Sequence, residues 1–475
     1  MPTGPPVSTV SPDPLPGGAG GIPGPAAPAP AHRHSQRGRR RRWPWGVLAL
    51  VVLLVVAGVV TAQRIDRPLP STVVVSTLTR VPVPGPAPTL PWPVVGQGAV
   101  SVPALGYSAQ SGPESPVPIA SLTKMTNAVV ILRDHPLAPG ASGPTIVITP
   151  GDANQFDVDL DNDESNIPLQ TGEKLTEYQM LEALINQSAN DVAYSLAVWD
   201  AGSEAAFVVK MNALAASLGA TRTHYVDASG YDPRSVSTAS DCLRIAAAGM
   251  RIPAFAEIAG KATVTLPLAG TVHNIVSEIG FNGVVGVKSG YTSQAGGCMV
   301  LAGYRTLDGR SVLVLAAALG QHVPAPVVVT KGHPAPAASA ATSRTTPSPG
   351  QIGVELQYPL RYTGPVVEAL LDASEAAVVK VPVATPGQTV GRTTVTWGGL
   401  THRAGVVTAG GAWMLGWPTQ VVEAAMRPVG VPAGARAGVR AGTAFYALGQ
   451  QVETVPLVTT AALPEPSWWW RLVHD

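Results

Sequence analysis

Apolar residues follow three different patterns along the chain. The first is unbroken: "WPWGVLALVVLLVVAGVVTA", Trp43 to Ala62, carries no charge, and a helix of that length spans about 30 Å, the hydrocarbon thickness of a bilayer. It predicts a transmembrane helix, with Trp43 and Trp45 suited to the interface. The second pattern is mixed and runs from about residue 96 to 321. In "IASLTKMTNAVV" and just beyond it, Leu122, Met125, Val129 and Leu132 recur every three or four residues, which predicts a helix with one face in a core. "TPGDANQFDVDLDNDESNIPLQ" predicts a polar loop, followed by a helix N-capped by Thr176 with Leu181, Leu184 and Ile185 inward, then a turn and another helix. "AGGCMVLAGYRTLDGRSVLVLAAALG" predicts two strands joined at "LDGR", a hairpin signal. The third pattern begins near residue 378, where Val- and Thr-rich runs broken by glycines predict a small all-β unit.

The stretches between these regions are defined by composition. Gly 50 and Pro 47 in 475 residues are concentrated in segments too poor in large apolar residues to bury a core. The organisation expected is a disordered basic cytoplasmic tail over 1–42, the transmembrane helix over 43–62, an extended Pro/Val-rich linker over 63–95, and a mixed helix-and-strand domain over 96–321. A mobile low-complexity insert follows over 322–351, then a C-terminal helix of the mixed domain over 352–377, the β unit over 378–462 and a Trp-rich tail over 463–475. The tail's three adjacent tryptophans with Arg471 are expected to cap the β unit rather than touch a membrane interface. A formal net charge of +1 argues against a nucleic-acid partner, which calls for clustered excess basic charge. The one dense basic run, Arg37 to Arg42, lies N-terminal to the apolar helix and keeps that end in the cytoplasm, placing the rest outside as a single-pass membrane protein. A cleaved signal peptide competes, but the long Pro-rich stretch before the apolar run favours an uncleaved anchor. Two cysteines, Cys242 in a helical run and Cys298 in a strand, read as buried apolar residues, and no spacing suggests zinc.

Chemistry is suggested by three short motifs. Ser121 and Lys124 stand one helical turn apart inside a stretch that otherwise reads as a buried helix, so the hydroxyl and amine can meet across roughly 5–6 Å. Of seven lysines, only Lys124 has a serine three residues earlier. Ser188 and Asn190 form an S-x-N spacing between two predicted helices, and Lys288, Ser289 and Gly290 open a predicted strand. The separations are 67 residues from Ser121 to Ser188 and 100 from Ser188 to Lys288. A serine hydroxyl attacks a carbonyl when a base takes its proton, and a lysine serves if desolvation and a second cation, here Lys288, lower its pKa. Ser188 and Asn190 suit a proton relay and a hold on the substrate amide. Lys288 and Ser289 suit a substrate carboxylate. The backbone N–H groups of Ser121 and Tyr291 suit an oxyanion, worth about 2.7–4 kcal/mol per donor, and Gly290 lets the substrate backbone approach the strand.

In this order, S-x-x-K, S-x-N and K-[ST]-G resemble the penicillin-binding protein and serine β-lactamase superfamily. The flanks "SANDVAYSLA", "VDASGYDPRSVSTASD" and "GVKSGYTSQAGGC" are similar to those of the low-molecular-weight D-alanyl-D-alanine carboxypeptidases. The resemblance covers about residues 96–321 and a short helix beyond, and Ser289 stands where threonine is commoner. It implies an α+β fold, an antiparallel sheet flanked by helices followed by the small β unit, with Ser121 at the start of a central helix and Lys288 on an edge strand. The nucleophile would be Ser121, the base Lys124, the relay pair Ser188 and Asn190, and the substrate-binding strand Lys288 to Tyr291. The reaction would be removal of the terminal D-alanine from peptidoglycan stem peptides ending in D-Ala-D-Ala, without metal or organic cofactor and with β-lactams as covalent inhibitors.

Other readings are weighed on the same residues. A lone S-x-x-K pair would be a helix with a snorkelling lysine, but three motifs in register argue otherwise. "EALIN", Glu182 to Asn186, mimics the water-activating segment of class A β-lactamases, yet it precedes the S-x-N motif and sits in an apolar helix, so packing is the better reading. The acidic "DVDLDNDESN", Asp157 to Asn166, lacks the glycine and glutamate of a calcium loop and is expected to be solvated. Ser237 is expected to cap a helix. A D,D-transpeptidase, a β-lactamase and a catalytically silent β-lactam-binding scaffold remain the alternatives.

Overall fold

The computed structural model describes residues 43–67, 71–72, 74–322, 352–397 and 399–473. The expected tail over 1–42 and nearly all of the expected insert over 322–351 lie outside the described residues. The described chain forms two compact units, one holding the helix Trp43–Ile65 together with the residues from Arg471 onward, the other running from residue 68 to Trp470. Trp45–Ile65 is long and apolar enough to cross a membrane, with a mean hydropathy of 2.6. At its end Arg64 Nη1 donates to the backbone oxygen of Leu472 and Arg471 Nη1 to that of Ile65, both at 2.9 Å.

The larger unit is built on a five-stranded antiparallel sheet. Its order is Gly286–Thr292, Gly296–Leu307, Arg310–Gln321, Gln97–Val102 and Tyr107–Gln110. The "LDGR" hairpin forms as expected: Leu307 pairs with Arg310, and Asp308 and Gly309 take the left-handed conformations that a two-residue turn demands. Alternation along the strands buries both faces. Ala99, Val300, Ala302, Leu315, Ala317 and Leu319 face one core; Val100, Val102, Met299, Leu301, Ala316 and Ala318 face another. The helix Ile352–Ala377 covers the second face through Val367, Leu370 and Leu371. A cluster of helices covers the first. The strand Gly286–Thr292 is an edge strand, which leaves its outer side free of a pairing neighbour and turned to the site described below.

The helix Thr123–Asp134 lies within that cluster, packed against Glu177–Asn186, Asn190–Ala201, Glu204–Ser217 and Ala239–Gly249. It is buried on every side, not on one face: from Thr123 to Leu132 every residue is buried. The helix Glu177–Asn186 starts at Thr176, whose side chain accepts from the Gln179 N–H while Gln179 reaches back to the Thr176 N–H. Losing half of that reciprocal cap costs about 1 kcal/mol. Thr176→Ala is therefore expected to lower the melting temperature by about 2 °C, measured by thermal unfolding, with penicillin labelling unchanged.

Three expectations about this domain need correction. The segment 150–161 is a helix, not a polar loop. Thr149 and Asp152 form a capping box and Pro150 sits at the first helical position, so the start signal outweighs the acidic composition. The acidic run is not wholly solvated either, because Asp159 and Glu164 are buried. The cap of Ala239–Gly249 is Thr238, which accepts from the Asp241 N–H, while Ser237 is spent on a hydrogen bond with Thr223. Cys242 and Cys298 are buried free thiols, and Glu182 is held by Lys261 at 2.8 Å in a packing role.

The β unit is a seven-stranded antiparallel sheet ordered Val74–Ser76, Thr389–Trp397, Leu400–Thr408, Gln451–Thr459, Arg440–Leu448, Val421–Pro428 and Val81–Pro82, with Val379–Ala384 paired to Ala412–Gly416 beside it. Both outer strands come from the region expected to be a linker. Residues 74–76 pair with Gly391–Thr393, residues 81–82 with Val421–Val422, and residues 71–72 with Val431–Pro432. Open sheet edges demand partners, and this unit takes them from before the catalytic domain, so it is discontinuous in sequence. It is joined firmly to that domain: Tyr107 stacks on buried Trp417 at 4.1 Å, and Arg310 bonds Glu453 and the Trp413 carbonyl, each at 2.6 Å. Trp468 and Trp469 do not cap the unit; they are 64% and 59% exposed.

Candidate active site

A single turn of 3-10 helix, Ala120–Leu122, leads into Thr123–Asp134. Between Ile119 and Leu132, Ser121 is the one residue that is not fully buried, so the fold presents this hydroxyl at the top of a helix otherwise sealed in the core. Ala120 before it holds the left-handed conformation, φ +47°, a strain that persists where the surroundings dictate it. Two close approaches do so. A Cβ on Gly230 would lie 1.9 Å from the Ala120 carbonyl oxygen, and a Cβ on Gly290 would lie 2.6 Å from the Ser121 nitrogen. Only glycine fits at either place. The edge strand is thus drawn onto the Ser121 turn, bringing the Ser121 N–H beside the Gly290–Tyr291 segment.

Lys124 Nζ is 2.9 Å from Ser121 Oγ, donates to Asn190 Oδ1, and donates to the Ser229 carbonyl at 3.2 Å. Lys124 is completely buried. Burial pushes its pKa down to about 8, while the carboxylates of Asp227, Glu164, Asp159 and Asp191 pull it back up. The same burial raises the pKa of Asp159 and Glu164 and, most strongly, of Asp191. Lys288 is also completely buried and donates to the Ser289 carbonyl at 3.0 Å. Burial first, and then the charge of Lys124, holds its pKa well below that of an ordinary lysine. The dominant influence on Lys124 is therefore desolvation, opposed by four carboxylates, and Lys124 and Lys288 are coupled through the repulsion that holds the Lys288 pKa down.

The remaining predicted residues fall around this pair. Ser188 lies in the short turn between Glu177–Asn186 and Asn190–Ala201, buried and left-handed at φ +60°. Asn190 opens the next helix, with its N–H on the Ser165 carbonyl at 2.7 Å. Ser289 Oγ is buried without a hydrogen-bond partner among the described residues, an orphan of the kind a ligand oxygen satisfies. Ser121, Lys124 and Asn190 are in contact, and Gly290 reaches the Ser121 turn.

Two contributors carried no assigned role in the sequence reading. Asp227 accepts from the Ser229 hydroxyl at 2.9 Å, from the N–H groups of Gly230 and Tyr231 at 2.8 Å, and from Ser235. It shapes the loop that offers the Ser229 carbonyl to Lys124. Glu164 accepts from Asn190 Nδ2. The only signal for either was a polar residue near a motif, "DASG" and "DESN", with nothing in the spacing to separate it from a surface loop.

The arrangement supplies a desolvated amine with one contact left for a hydroxyl, on a sheet edge able to take an extended ligand. Residues 109–318 match the family described as D-alanyl-D-alanine carboxypeptidase. The D-alanyl-D-alanine carboxypeptidase DacB2 of Mycobacterium tuberculosis is 35% identical over 155 residues, covering 31% of this chain and 52% of that one. A D-alanyl-D-alanine endopeptidase of Pseudomonas aeruginosa is 31% identical over 221 residues, covering 44% and 66%. The chain thus spans between half and two thirds of the length of these curated relatives. The crystal structure of penicillin-binding protein 5 from Haemophilus influenzae aligns at 18% identity over 81% of this chain and 100% of that one, with a TM-score of 0.49.

Proposed function

We propose that this protein is a serine D,D-carboxypeptidase that removes the terminal D-alanine from peptidoglycan stem peptides. The observation that carries this is the bonding of Lys124. A neutral amine has two N–H donors and one lone pair. Asn190 Oδ1 and the Ser229 carbonyl engage the two donors, which directs the lone pair to Ser121 Oγ at 2.9 Å. Lys124 takes the hydroxyl proton as Ser121 Oγ bonds to the carbonyl carbon of the penultimate D-alanine. The tetrahedral oxyanion faces the N–H groups of Ser121 and Tyr291. The C–N bond then breaks, D-alanine leaves with a proton passed through Lys124 and Ser188, and water hydrolyses the acyl-enzyme on Ser121. Lys288 and Ser289 receive the terminal carboxylate, and Gly290 lets the peptide lie along the strand. A carboxylate beside Lys288 favours its ammonium form, so substrate restores the charge that burial disfavours.

Mass analysis of the protein after brief exposure to a penicillin, with assay of free D-alanine from a pentapeptide ending in D-Ala-D-Ala, tests this reading. The expected result is an adduct on the peptide containing Ser121 and release of one D-alanine per peptide. No adduct and no release would sink it. Two of the matching relatives are named endopeptidases, so cross-linked dimers belong in the same assay: their cleavage marks an endopeptidase, and their formation a transpeptidase.

The apolar helix Trp45–Ile65 and the arginines Arg37–Arg42 before it support a single-pass membrane anchor with the enzyme outside the cytoplasm. Fractionation of cells producing the full chain is expected to recover it with membranes. Recovery in the soluble fraction, lacking its N-terminus, would favour a cleaved signal.

A further inference from the structure

The Lys124 argument depends on which end of the Asn190 amide faces the amine. The oxygen and nitrogen of an Asn side chain are alike in shape, and the hydrogen-bond network decides between them. Here the decision falls to Glu164, 8% exposed on the chain after the Pro150–Asp161 helix. Its Oε2 accepts from Asn190 Nδ2 at 2.5 Å, and its Oε1 accepts from Asn162 Nδ2 at 3.4 Å. Both oxygens therefore act as acceptors. Turning the Asn190 amide over would set its oxygen against that carboxylate and its NH2 against Lys124. The backbone holds the two side chains in register: the Asn190 N–H bonds the Ser165 carbonyl at 2.7 Å, and the Asn166 side chain donates to the Glu164 carbonyl at 3.0 Å.

We propose that Glu164 is a positioning residue, which by holding Asn190 Nδ2 compels Asn190 Oδ1 to take one Lys124 N–H and so aims the amine at Ser121. This rests on Lys124 acting as the base. With Glu164 removed, the amide is free to present Nδ2 to Lys124, where it competes with Ser121 for the lone pair. The charged groups around Lys124 are Asp159 on the Pro150–Asp161 helix, Glu164, Asp191 on the helix after Ser188, Asp227 in the Ser229 loop, and Lys288 on the edge strand. Tyr231 and Asp159 are the other titratable groups near Glu164.

The test compares Glu164→Ala and Glu164→Gln in the full chain. The second-order rate of acylation by a fluorescent penicillin is measured against pH, with thermal unfolding alongside. Gln keeps an acceptor for Asn190 but no charge. The Ala variant is expected to lose roughly ten- to a hundredfold of the plateau rate, as for a buried group deprived of its partner, and the Gln variant to stay within about threefold of wild type. In both, loss of a carboxylate that favours the Lys124 ammonium should move the acid limb to lower pH. A merely structural role would lower the plateau and the melting temperature without moving that limb. The proposal is overturned if Ala labels like wild type, if its loss comes with an unmoved acid limb, or if Gln is no better than Ala. Should the Ala variant not fold, the Gln variant alone decides: a plateau loss beyond tenfold rejects the proposal, and a retained plateau with a shifted limb supports it. A wild-type protein that takes no label fails the carboxypeptidase reading instead.

Discussion

Ser121→Ala is expected to leave no covalent penicillin adduct and to slow D-alanine release by about a thousandfold or more, since the loss of an acyl-forming nucleophile leaves only binding and oxyanion stabilisation. Gel fluorescence after labelling and a D-alanine assay measure the two effects. Ser121 is the half-buried end of an otherwise buried segment, so removing its oxygen opens no cavity in the core, and its side-chain partner among the described residues is Lys124 at 2.9 Å. The fold should survive, with a change in stability of about 1 kcal/mol at most, as for a single lost hydrogen bond. A variant that still labels would place the nucleophile elsewhere and remove the basis of the proposed reaction.

Lys124→Ala is expected to lower acylation by about 10²- to 10⁴-fold, the usual contribution of a general base, and to change the pH dependence. The sign follows from the reactive form. Burial holds the Lys124 pKa at about 8, and only the neutral amine accepts the serine proton. Wild-type acylation should therefore climb with pH and level off above about 8, because below that value the ammonium predominates. The alanine variant should lose this limb along with its rate. Stopped-flow acylation across pH measures both. A limb that persists without Lys124 would assign the titration to another group. The substitution also leaves Asn190 Oδ1 and the Ser229 carbonyl without their donor, so folding should be checked separately by circular dichroism.

The candidate site was legible as motifs because the proposed chemistry calls for fixed residue types at fixed places: a serine one turn from a lysine, a polar turn, and a lysine-led strand. The arrangement around it was harder to read. Asp227 and Glu164 reach their hydrogen-bond partners from loops whose paths depend on tertiary contacts, and one carboxylate in an acidic run looks like another. The acidic composition of the helix Pro150–Asp161 hides it, although Thr149 and Asp152 spell a capping box and Pro150 suits the first helical position. The helix Thr123–Asp134 showed an apolar periodicity, yet Thr123, Thr126 and Asn127 are buried too. They pair with groups far along the chain, such as Tyr225 for Thr126 and the Ala193 carbonyl for Asn127. The sheet strands Gly296–Leu307 and Arg310–Gln321 were evident because each is long and the turn between them demands positive φ. The strands at 74–76 and 81–82 are two or three residues long and carry no periodicity, so among prolines and valines they read as a spacer.

Those short strands would be the first to feel a pull on the chain ahead of them. A chain held at residue 67 and pulled would deliver tension first to the pairs between 71–82 and their partners at 391–393, 421–422 and 431–432. The outermost ribbons of the β unit, held by two or three residue pairs each, would peel ahead of the long central strands on which the Ser121 turn rests. The β unit would thus yield like a fuse, leaving the alignment of Ser121, Lys124 and Asn190 undisturbed.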